Sequence, residues 1–357
     1  MGTIKDYLKK YGKYTFLEKE FTEVDNAILA SLSYVEFTGI VPNTGNGSIT
    51  LCEASERLFS TYTKKTIDSR ILAVRKSSYL LKELAKTNRY KDLLLLNYEY
   101  KINNDMQFGA LCIKLPNKTM YVSFEGTDSY VSGWKEDFMS YVTFPLPAQR
   151  EAVKYLNRVV KFFGPSIYIG GHSKGGNLAL VSAMYCRKFI LKKIIQIYSN
   201  DGPGLREDEY FTFRYDFIRK KYTHIIPEEG VVGILLTNDE NNYTVVKSTN
   251  KKFFQHDLNT WVVEDDKFVR GEMSSFTKKC RKTLTNWIRK MDKEKMEKVV
   301  DNLFKIFVQA EINDLMDIKK EKIRKIRRLY KEAKTIDKES EKLLSSVFKE
   351  LFQEWRK

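Results

Sequence analysis

Residues 167–177 read Ile-Tyr-Ile-Gly-Gly-His-Ser-Lys-Gly-Gly-Asn. The stretch begins as a short apolar run of β type, turns at Gly171-x-Ser173-x-Gly175 and continues into residues 178–184, whose composition is helical. A serine on such a turn occupies a nucleophile elbow, which holds its Oγ above the sheet. The two glycines suit this turn because strand and helix nearly touch there. The alternative is an ordinary βα turn in which Ser173 caps the helix.

The composition indicates one large α/β core with an appendage. The chain has 357 residues, of which 42% are hydrophobic and 30% are charged. It contains no apolar run long enough to cross a membrane, and residues 1–7 lack a signal-peptide core. The four cysteines are far apart and fit neither a metal site nor a disulfide framework. We therefore expect a cytoplasmic protein with reduced thiols.

The hydrophobic pattern alternates strands with helices up to about residue 271. Residues 1–105 are largely helical, and a helix is expected at about 148–163. Strands are expected as a hairpin of 108–114 and 119–124, then at 166–170, 194–199, 224–226, 231–236 and 243–246, and as a second hairpin of 261–263 and 267–269. This alternation predicts a mainly parallel sheet with helices on both faces, in one domain spanning residues 1–271.

Residues 272–357 carry no strand signal. Apolar residues recur there at helical spacing around 299–308, 323–330 and 343–351, which predicts three amphipathic helices. Residues 271–357 hold 24 Lys and Arg against 15 Asp and Glu, or +9 of the total charge of +16. This excess suits the anionic inner face of a membrane, although the mixture of Lys and Glu favours a solvated face. The lack of interleaved aromatic residues argues against nucleic acid.

A serine nucleophile needs a base, and the chain has three histidines. His172 adjoins Ser173 in sequence, so its side chain points away from the position of a base. His224 begins an apolar run and is typical of a strand end. His256 lies in a polar loop downstream, which gives the chain order Ser, acid, His expected for this elbow. His256 is therefore the predicted base.

The acid that orients the base is less sharply defined by the sequence. Asp201 follows the strand after the elbow helix, at the edge of the sheet where active sites form. The plainer interpretation is that Asp201 only shapes the turn. Asp239 and Glu229 are the rival acids. The predicted oxyanion hole combines the backbone N–H of Lys174 with Thr127, which follows an earlier strand and could instead cap the next helix.

These motifs together resemble known lipases. Residues 122–127, with Trp134 and Asp137 behind them, are similar to the Phe-Arg-Gly-Thr…Trp…Asp block of class 3 lipases, and residues 171–176 are similar to their Gly-His-Ser-Leu-Gly-Gly. The resemblance implies that Thr127 helps to form the oxyanion hole. The span from residue 7 to about 268 more closely resembles a bacterial group of Mbeg-like, lipase-related proteins. The implied fold is a lipase-like α/β-hydrolase with a C-terminal helical extension.

Three departures from class 3 lipases stand out. Glu125 replaces their usual arginine, and Lys174 replaces a leucine beside the nucleophile. Their acid comes from a later strand, but the comparable stretch here, 230–233, contains no aspartate, which favours Asp201. We expect a serine esterase acting on acyl esters or lipids by a Ser173–Asp201–His256 triad, with no metal or cofactor. The alternative is a catalytically idle scaffold that binds a membrane or protein partner.

Overall fold

The computed structural model describes residues 2–43, 45–103, 106–127, 131–239, 243–288, 293–310, 324 and 327–329. Their α-helices are α1 Ile4–Tyr11, α2 Glu23–Ser31, α3 Leu51–Thr61, α4 Lys64–Asp68, α5 Leu72–Leu84, α6 Val131–Met139, α7 Pro147–Val159, α8 Lys174–Tyr185, α9 Lys188–Lys193, α10 Glu207–Tyr210, α11 Phe213–Arg219, α12 Ser275–Ile288 and α13 Lys293–Gln309. Short 3₁₀ helices span Leu32–Tyr34, Lys252–His256 and Leu258–Thr260.

The strands form one large sheet and one small one. The strands are β1 Ile49–Thr50, β2 Leu94–Asn103, β3 Met106–Lys114, β4 Thr119–Phe124, β5 Ser166–His172, β6 Ile194–Asn200, β7 Tyr222–Pro227, β8 Tyr243–Val246, β9 Val263–Glu264 and β10 Lys267–Phe268. Strands β1–β8 lie side by side in sequence order. The pairs from β1 to β4 are antiparallel and those from β4 to β8 are parallel. The predicted α/β-hydrolase fold, with a mainly parallel sheet, is confirmed.

The sequential strand order explains how the two faces are covered. Right-handed crossovers that all step in one direction place their helices on one face of a sheet. Helices α7, α8 and α11 accordingly pack in one apolar cluster with β3–β6. The opposite face would remain bare without the N-terminal helices, and α1, α2, α3 and α5 form the second cluster there. Both predicted helical layers are present.

Helices α2 and α3 of the N-terminal layer each begin at a capping box. The Thr22 hydroxyl accepts the Asp25 N–H at 3.2 Å, and the Asp25 carboxylate accepts the Thr22 N–H at 2.9 Å. Thr50 and Glu53 make the same reciprocal pair at the start of α3. Such capping boxes satisfy N–H groups that have no partner within the helix. They fix where each helix begins above the sheet.

One predicted strand is wrong. Residues 231–236 form turns that contain no strand, although the run is apolar. A Cβ added to Gly233 would lie 2.5 Å from Asp201 Oδ1, so the segment must pass close to the strand edge at that point. Leu236 has a φ of 62°, which extended strands do not permit. The apolar residues therefore belong to a packed loop that closes over Asp201.

The C-terminal region contacts the hydrolase core through α13. The ring of Phe304 lies 5.8 Å from that of Phe138 in α6, and Lys135 pairs with Asp301 at 2.9 Å. Val300 and Ile306 are also buried. The predicted apolar stripe at 299–308 thus includes a surface that docks on α6. The stripe at 343–351 lies outside the described residues, as does most of the stripe at 323–330.

Candidate active site

Ser173 lies on a strained turn between β5 and α8. Its φ of 56° and ψ of −132° fall in a region that L-residues rarely adopt. Its N–H donates to the Asn200 carbonyl at 3.0 Å. A Cβ on Gly171 would lie 2.3 Å from the Gly175 carbonyl carbon, and one on Gly175 would lie 2.2 Å from a Phe124 oxygen. The two glycines are therefore required by close backbone approach, as the sequence indicated.

Asp201 and His256 form a hydrogen-bonded pair at the carboxyl end of β6. His256 Nδ1 lies 2.6 Å from Asp201 Oδ2. Asp201 is completely buried, and its Oδ1 accepts the Gly233 N–H at 2.9 Å. The carboxylate therefore has a partner at each oxygen. Asp201 has a φ of 46°, so the backbone leaves the strand direction at this residue.

This contact defines the state of the His256 ring. A carboxylate only accepts hydrogen bonds, so Nδ1 carries the proton that is shared with Asp201. In the neutral ring Nε2 is then the basic nitrogen. The side chain of His256 is one-fifth exposed, whereas that of Asp201 is fully enclosed. The arrangement can accept a proton at Nε2 while Asp201 stabilises the resulting cation.

His172 supports the loop that carries His256. Its Nε2 lies 2.7 Å from the His256 carbonyl oxygen, which can only accept, so Nε2 carries the proton. The Tyr34 hydroxyl then donates to Nδ1 at 2.9 Å. The two imidazole rings lie 4.3 Å apart. Burial, reinforced by the neighbouring His256, lowers the pKa of His172 to about 3, so His172 stays neutral beside the base.

The loop that carries His256 is also held by a residue of α5 and by a residue at its own C-terminal end. Lys76 of α5 forms an ion pair with Asp257, the residue after His256. The buried Trp261 donates its indole N–H to the Gln255 carbonyl at 2.8 Å. His256 therefore lies on a segment that is fixed on both sides. This fixation reduces the entropy that would otherwise be lost when the ring is oriented.

The rival residues lie in other interactions. Asp239 pairs with Arg219 at 2.6 Å, and the Glu229 carboxylate accepts the Lys252 N–H at 2.6 Å. His224 is buried within β7, where burial lowers its pKa to about 4. Of the acids weighed from sequence, Asp201 is the one bonded to His256.

The loop that carries Thr127 packs against the elbow at the preceding residue, Gly126. A Cβ on Gly126 would lie 2.5 Å from the His172 carbonyl oxygen, so the loop passes directly against the turn that precedes Ser173. The Thr127 hydroxyl donates to Asp137 Oδ2 at 2.5 Å. Burial raises the pKa of Asp137 to about 6, so at neutral pH it accepts this bond as a carboxylate. The Thr127 hydroxyl is thereby directed toward α6.

Lys174 makes a buried ion pair that the sequence did not reveal. Its Nζ lies 3.1 Å from Glu136 Oε2 and 2.9 Å from the Gln107 carbonyl. The two side chains are 3% and 2% exposed. The other Glu136 oxygen accepts the Ala148 N–H at 2.8 Å. The pair ties the first residue of α8 to α6, next to the residue that holds Thr127.

The support by Tyr34 and the ion pair with Glu136 are the site features that sequence reasoning missed. Tyr34 and His172 are 138 positions apart, and Lys174 and Glu136 are 38 apart. The available signals were indirect. Tyr34 lies within the span that resembles the Mbeg-like group, and Lys174 stands where class 3 lipases have a leucine. Neither signal identifies a partner, because side-chain pairing across the sheet leaves no local pattern.

The buried histidines make stability depend on pH. The unfolded chain binds a proton at each near pH 6.5, whereas His172 and His224 resist protonation until about pH 3 and pH 4. Their folded pKa values are depressed, so stability is full above about pH 6.5 and is lost as pH falls. As the pH falls from about 6.5 toward the folded pKa, each of the two histidines lowers the unfolding free energy by about 1.4 kcal/mol per pH unit. Between about pH 6 and 4, we expect His172→Gln to reduce the slope of unfolding free energy against pH by about 1.4 kcal/mol per pH unit.

Urea unfolding at a series of pH values measures this slope. His224→Gln is the matched control, since it removes the other buried imidazole and should flatten the curve by a similar amount. Curves for wild type and His172→Gln that run parallel through this window would contradict the neutral, buried state of His172.

A serine on a strand–helix elbow, with an Asp–His pair at the carboxyl ends of a mostly parallel sheet, defines an α/β-hydrolase-type protein. The chain belongs to the Mbeg1-like family, whose model matches residues 84–305. No curated protein matches the sequence significantly.

Two solved structures are similar at low identity. One is the crystal structure of M37 lipase, with 16% identity and a TM-score of 0.36 over 60% of this chain and 70% of that chain. The other is a fungal lipase–inhibitor complex described as a model for interfacial activation in lipases. It has 15% identity and a TM-score of 0.35 over 58% of this chain and 70% of that chain.

None of the described helices is both long and apolar enough to cross a membrane. Within the same residues, no group of three or more His, Cys, Asp or Glu side chains could hold a metal ion.

Proposed function

We propose that this protein is a serine hydrolase that cleaves carboxylic esters through an acyl-enzyme. The observation that carries the proposal is the hydrogen bond between the buried Asp201 and His256, whose loop is bonded to His172, the residue directly before Ser173. A fully buried carboxylate bonded to a partly exposed imidazole is the pairing that general-base catalysis by histidine requires. Ser173, on the strained turn after His172, supplies the nucleophile.

The reaction divides into two steps. Ser173 Oγ attacks the acyl carbonyl while His256 Nε2 takes the hydroxyl proton. The tetrahedral intermediate collapses, the C–O bond to the alcohol breaks, and His256 returns the proton to the leaving alkoxide. Water then attacks the acyl-enzyme with His256 again as base, which releases the acid and restores Ser173. Asp201 orients the ring and stabilises the imidazolium in both steps.

The oxyanion is stabilised by backbone donors. We assign the Lys174 N–H at the start of α8 and the Thr127 N–H to this role, since helix N-termini attract negative charge. The bond from the Thr127 hydroxyl to Asp137 supports this choice, because it holds the residue in place through its side chain. Removal of one such donor typically lowers kcat by about 10²–10³-fold.

We further propose acyl lipids as the substrate class, in keeping with the lipase-like motifs, and a cytoplasmic location. Support for the location comes from the four cysteines, which form no disulfide in the part of the chain that the structure describes. We keep contact of the basic C-terminal region with a membrane as a proposal for the residues beyond α13. In α13 itself, Val300, Phe304 and Ile306 are buried against the protein.

Labelling of the purified protein with a fluorophosphonate probe tests the proposed function. We expect a single adduct on Ser173, mapped by mass spectrometry, that is lost in Ser173→Ala and in His256→Ala. Ser182→Ala is the matched control, because it removes another buried serine hydroxyl, near the C-terminal end of α8, and should keep the label. A folded, monodisperse protein that takes no label would overturn the proposal and favour the idle scaffold.

A further inference from the structure

The amino-terminal ends of the parallel strands, which lie opposite Ser173, carry a basic and aromatic surface. Strands β4, β5, β6 and β7 are parallel neighbours, and Ser166 pairs with Thr119 while Ile194 pairs with Ile167. Their starting ends therefore lie side by side, about 4.8 Å apart from strand to strand. We call this surface the basic edge. It comprises Lys118, Lys161, Phe162, Phe163, Lys188, Lys192 and Lys220 on the segments that precede these strands.

Two phenylalanines project from the turn before β5. Phe162 is 64% exposed and Phe163 is 97% exposed. The turn is held in place, because Lys193 donates to the Gly164 carbonyl at 2.6 Å and the Phe162 ring lies 5.7 Å from that of Phe189 in α9. Two adjacent apolar rings presented to water on a fixed turn point to a binding surface.

Positive charge surrounds these rings. Apart from Lys174 at the elbow, residues 152–200 contain seven Lys and Arg and neither Asp nor Glu; two of the seven, Lys154 and Arg158, pair with Glu151 and Glu99. Lys161, Lys188 and Lys192 are exposed, and Lys118 and Lys220 extend the charge onto the neighbouring turns. Asp216 of α11 is an exposed acid near this end of β7. The surface therefore combines a cationic field with an apolar tip.

We infer that the basic edge docks on an anionic lipid bilayer. Acidic headgroups attract each surface lysine, and the headgroup–acyl boundary takes up aromatic rings that water does not solvate well. A polyanion without exposed bases, such as heparin or a nucleic-acid duplex, would satisfy the lysines and leave Phe163 exposed. Residues 311–357, most of which lie outside the described residues, do not fit as the occupant, because their 14 Lys and Arg exceed their 10 Asp and Glu.

This docking sets the orientation of the protein. Strand β5 runs from the basic edge to the elbow over 7 residues, or about 23 Å. A bilayer bound at the basic edge therefore leaves Ser173 facing the aqueous side. The inference is independent of the proposed hydrolase activity, because neither Phe162 nor any lysine of the basic edge has a role in that reaction.

Vesicle flotation of the full chain tests this inference. We expect binding to vesicles of equimolar phosphatidylcholine and phosphatidylserine, weakening with salt, and none to phosphatidylcholine alone. Phe162→Ser/Phe163→Ser should weaken binding about tenfold or more. Lys161→Gln/Lys188→Gln should weaken it about tenfold and lower the salt dependence. Ile102→Ser, at 44% exposed on the hairpin at the other edge of the sheet, is the control and should bind as wild type.

Three outcomes would overturn the inference: no binding by the wild type, equal binding by the double phenylalanine variant, or a loss confined to Ile102→Ser. Heparin binding that ignores the phenylalanine substitutions, without vesicle binding, would assign the edge to a soluble polyanion instead. Hydrolysis of a soluble ester should be the same in Phe162→Ser/Phe163→Ser and wild type, which separates this test from that of the proposed function.

Discussion

Asp201→Asn is expected to lower kcat/KM for a soluble ester such as p-nitrophenyl butyrate by about 10⁴-fold. The amide can donate to His256 Nδ1, which would leave the proton on Nε2, where it blocks acceptance of the Ser173 proton. The substitution keeps the size of the side chain and an oxygen for the Gly233 N–H, which lies 2.9 Å from Oδ1. The measurement is steady-state hydrolysis, with thermal unfolding to verify the fold.

Asp239→Asn and Glu229→Gln are the matched controls for this prediction. Each removes one charge from an acid that the sequence left open, and each lies in a different contact, with Arg219 and Lys252 respectively. We expect both to keep activity within a few-fold of wild type. Loss of activity in either control, together with an active Asp201→Asn enzyme, would show that the acid is wrongly assigned.

The local parts of the site were predictable because their constraints are local. The elbow requires small residues two positions from Ser173, and Gly171 and Gly175 appear in the sequence as such. Asp201 and His256 were predicted from chain order and loop position, and the structure joins them by a hydrogen bond. In each case a backbone requirement or the order of elements left a readable pattern.

The remaining parts depend on contacts between distant segments. The apolar run 231–236 has the composition of a strand, but Gly233 must pass close to Asp201. The hydrophobic periodicity of the sequence does not indicate this contact. The Tyr34–His172 bond joins the 3₁₀ turn after α2 to the end of β5. Side-chain partners of this kind follow from the packed layers, so they become visible only when the sheet is assembled.

Lys174→Met is expected to lower the unfolding free energy by about 3–5 kcal/mol, since it leaves the Glu136 carboxylate buried without its cation. Methionine fills a similar volume, so the loss reports on the charge rather than on a cavity. Urea unfolding measures the change. The backbone N–H of Lys174 is retained, so any fall in kcat beyond the change in stability would report displacement of α6, whose Asp137 holds Thr127.

A double-mutant cycle with Glu136→Gln separates the pair from its surroundings. Glutamine keeps an oxygen for the Ala148 N–H, 2.8 Å from Glu136 Oε1, and removes the negative charge. Because Lys174→Met/Glu136→Gln removes both charges of the pair, we expect it to be more stable than Lys174→Met alone, with a coupling energy of about 1–3 kcal/mol. Additive losses would mean that the two charges contribute independently, and the ion pair would then not be what fixes α6 to the elbow.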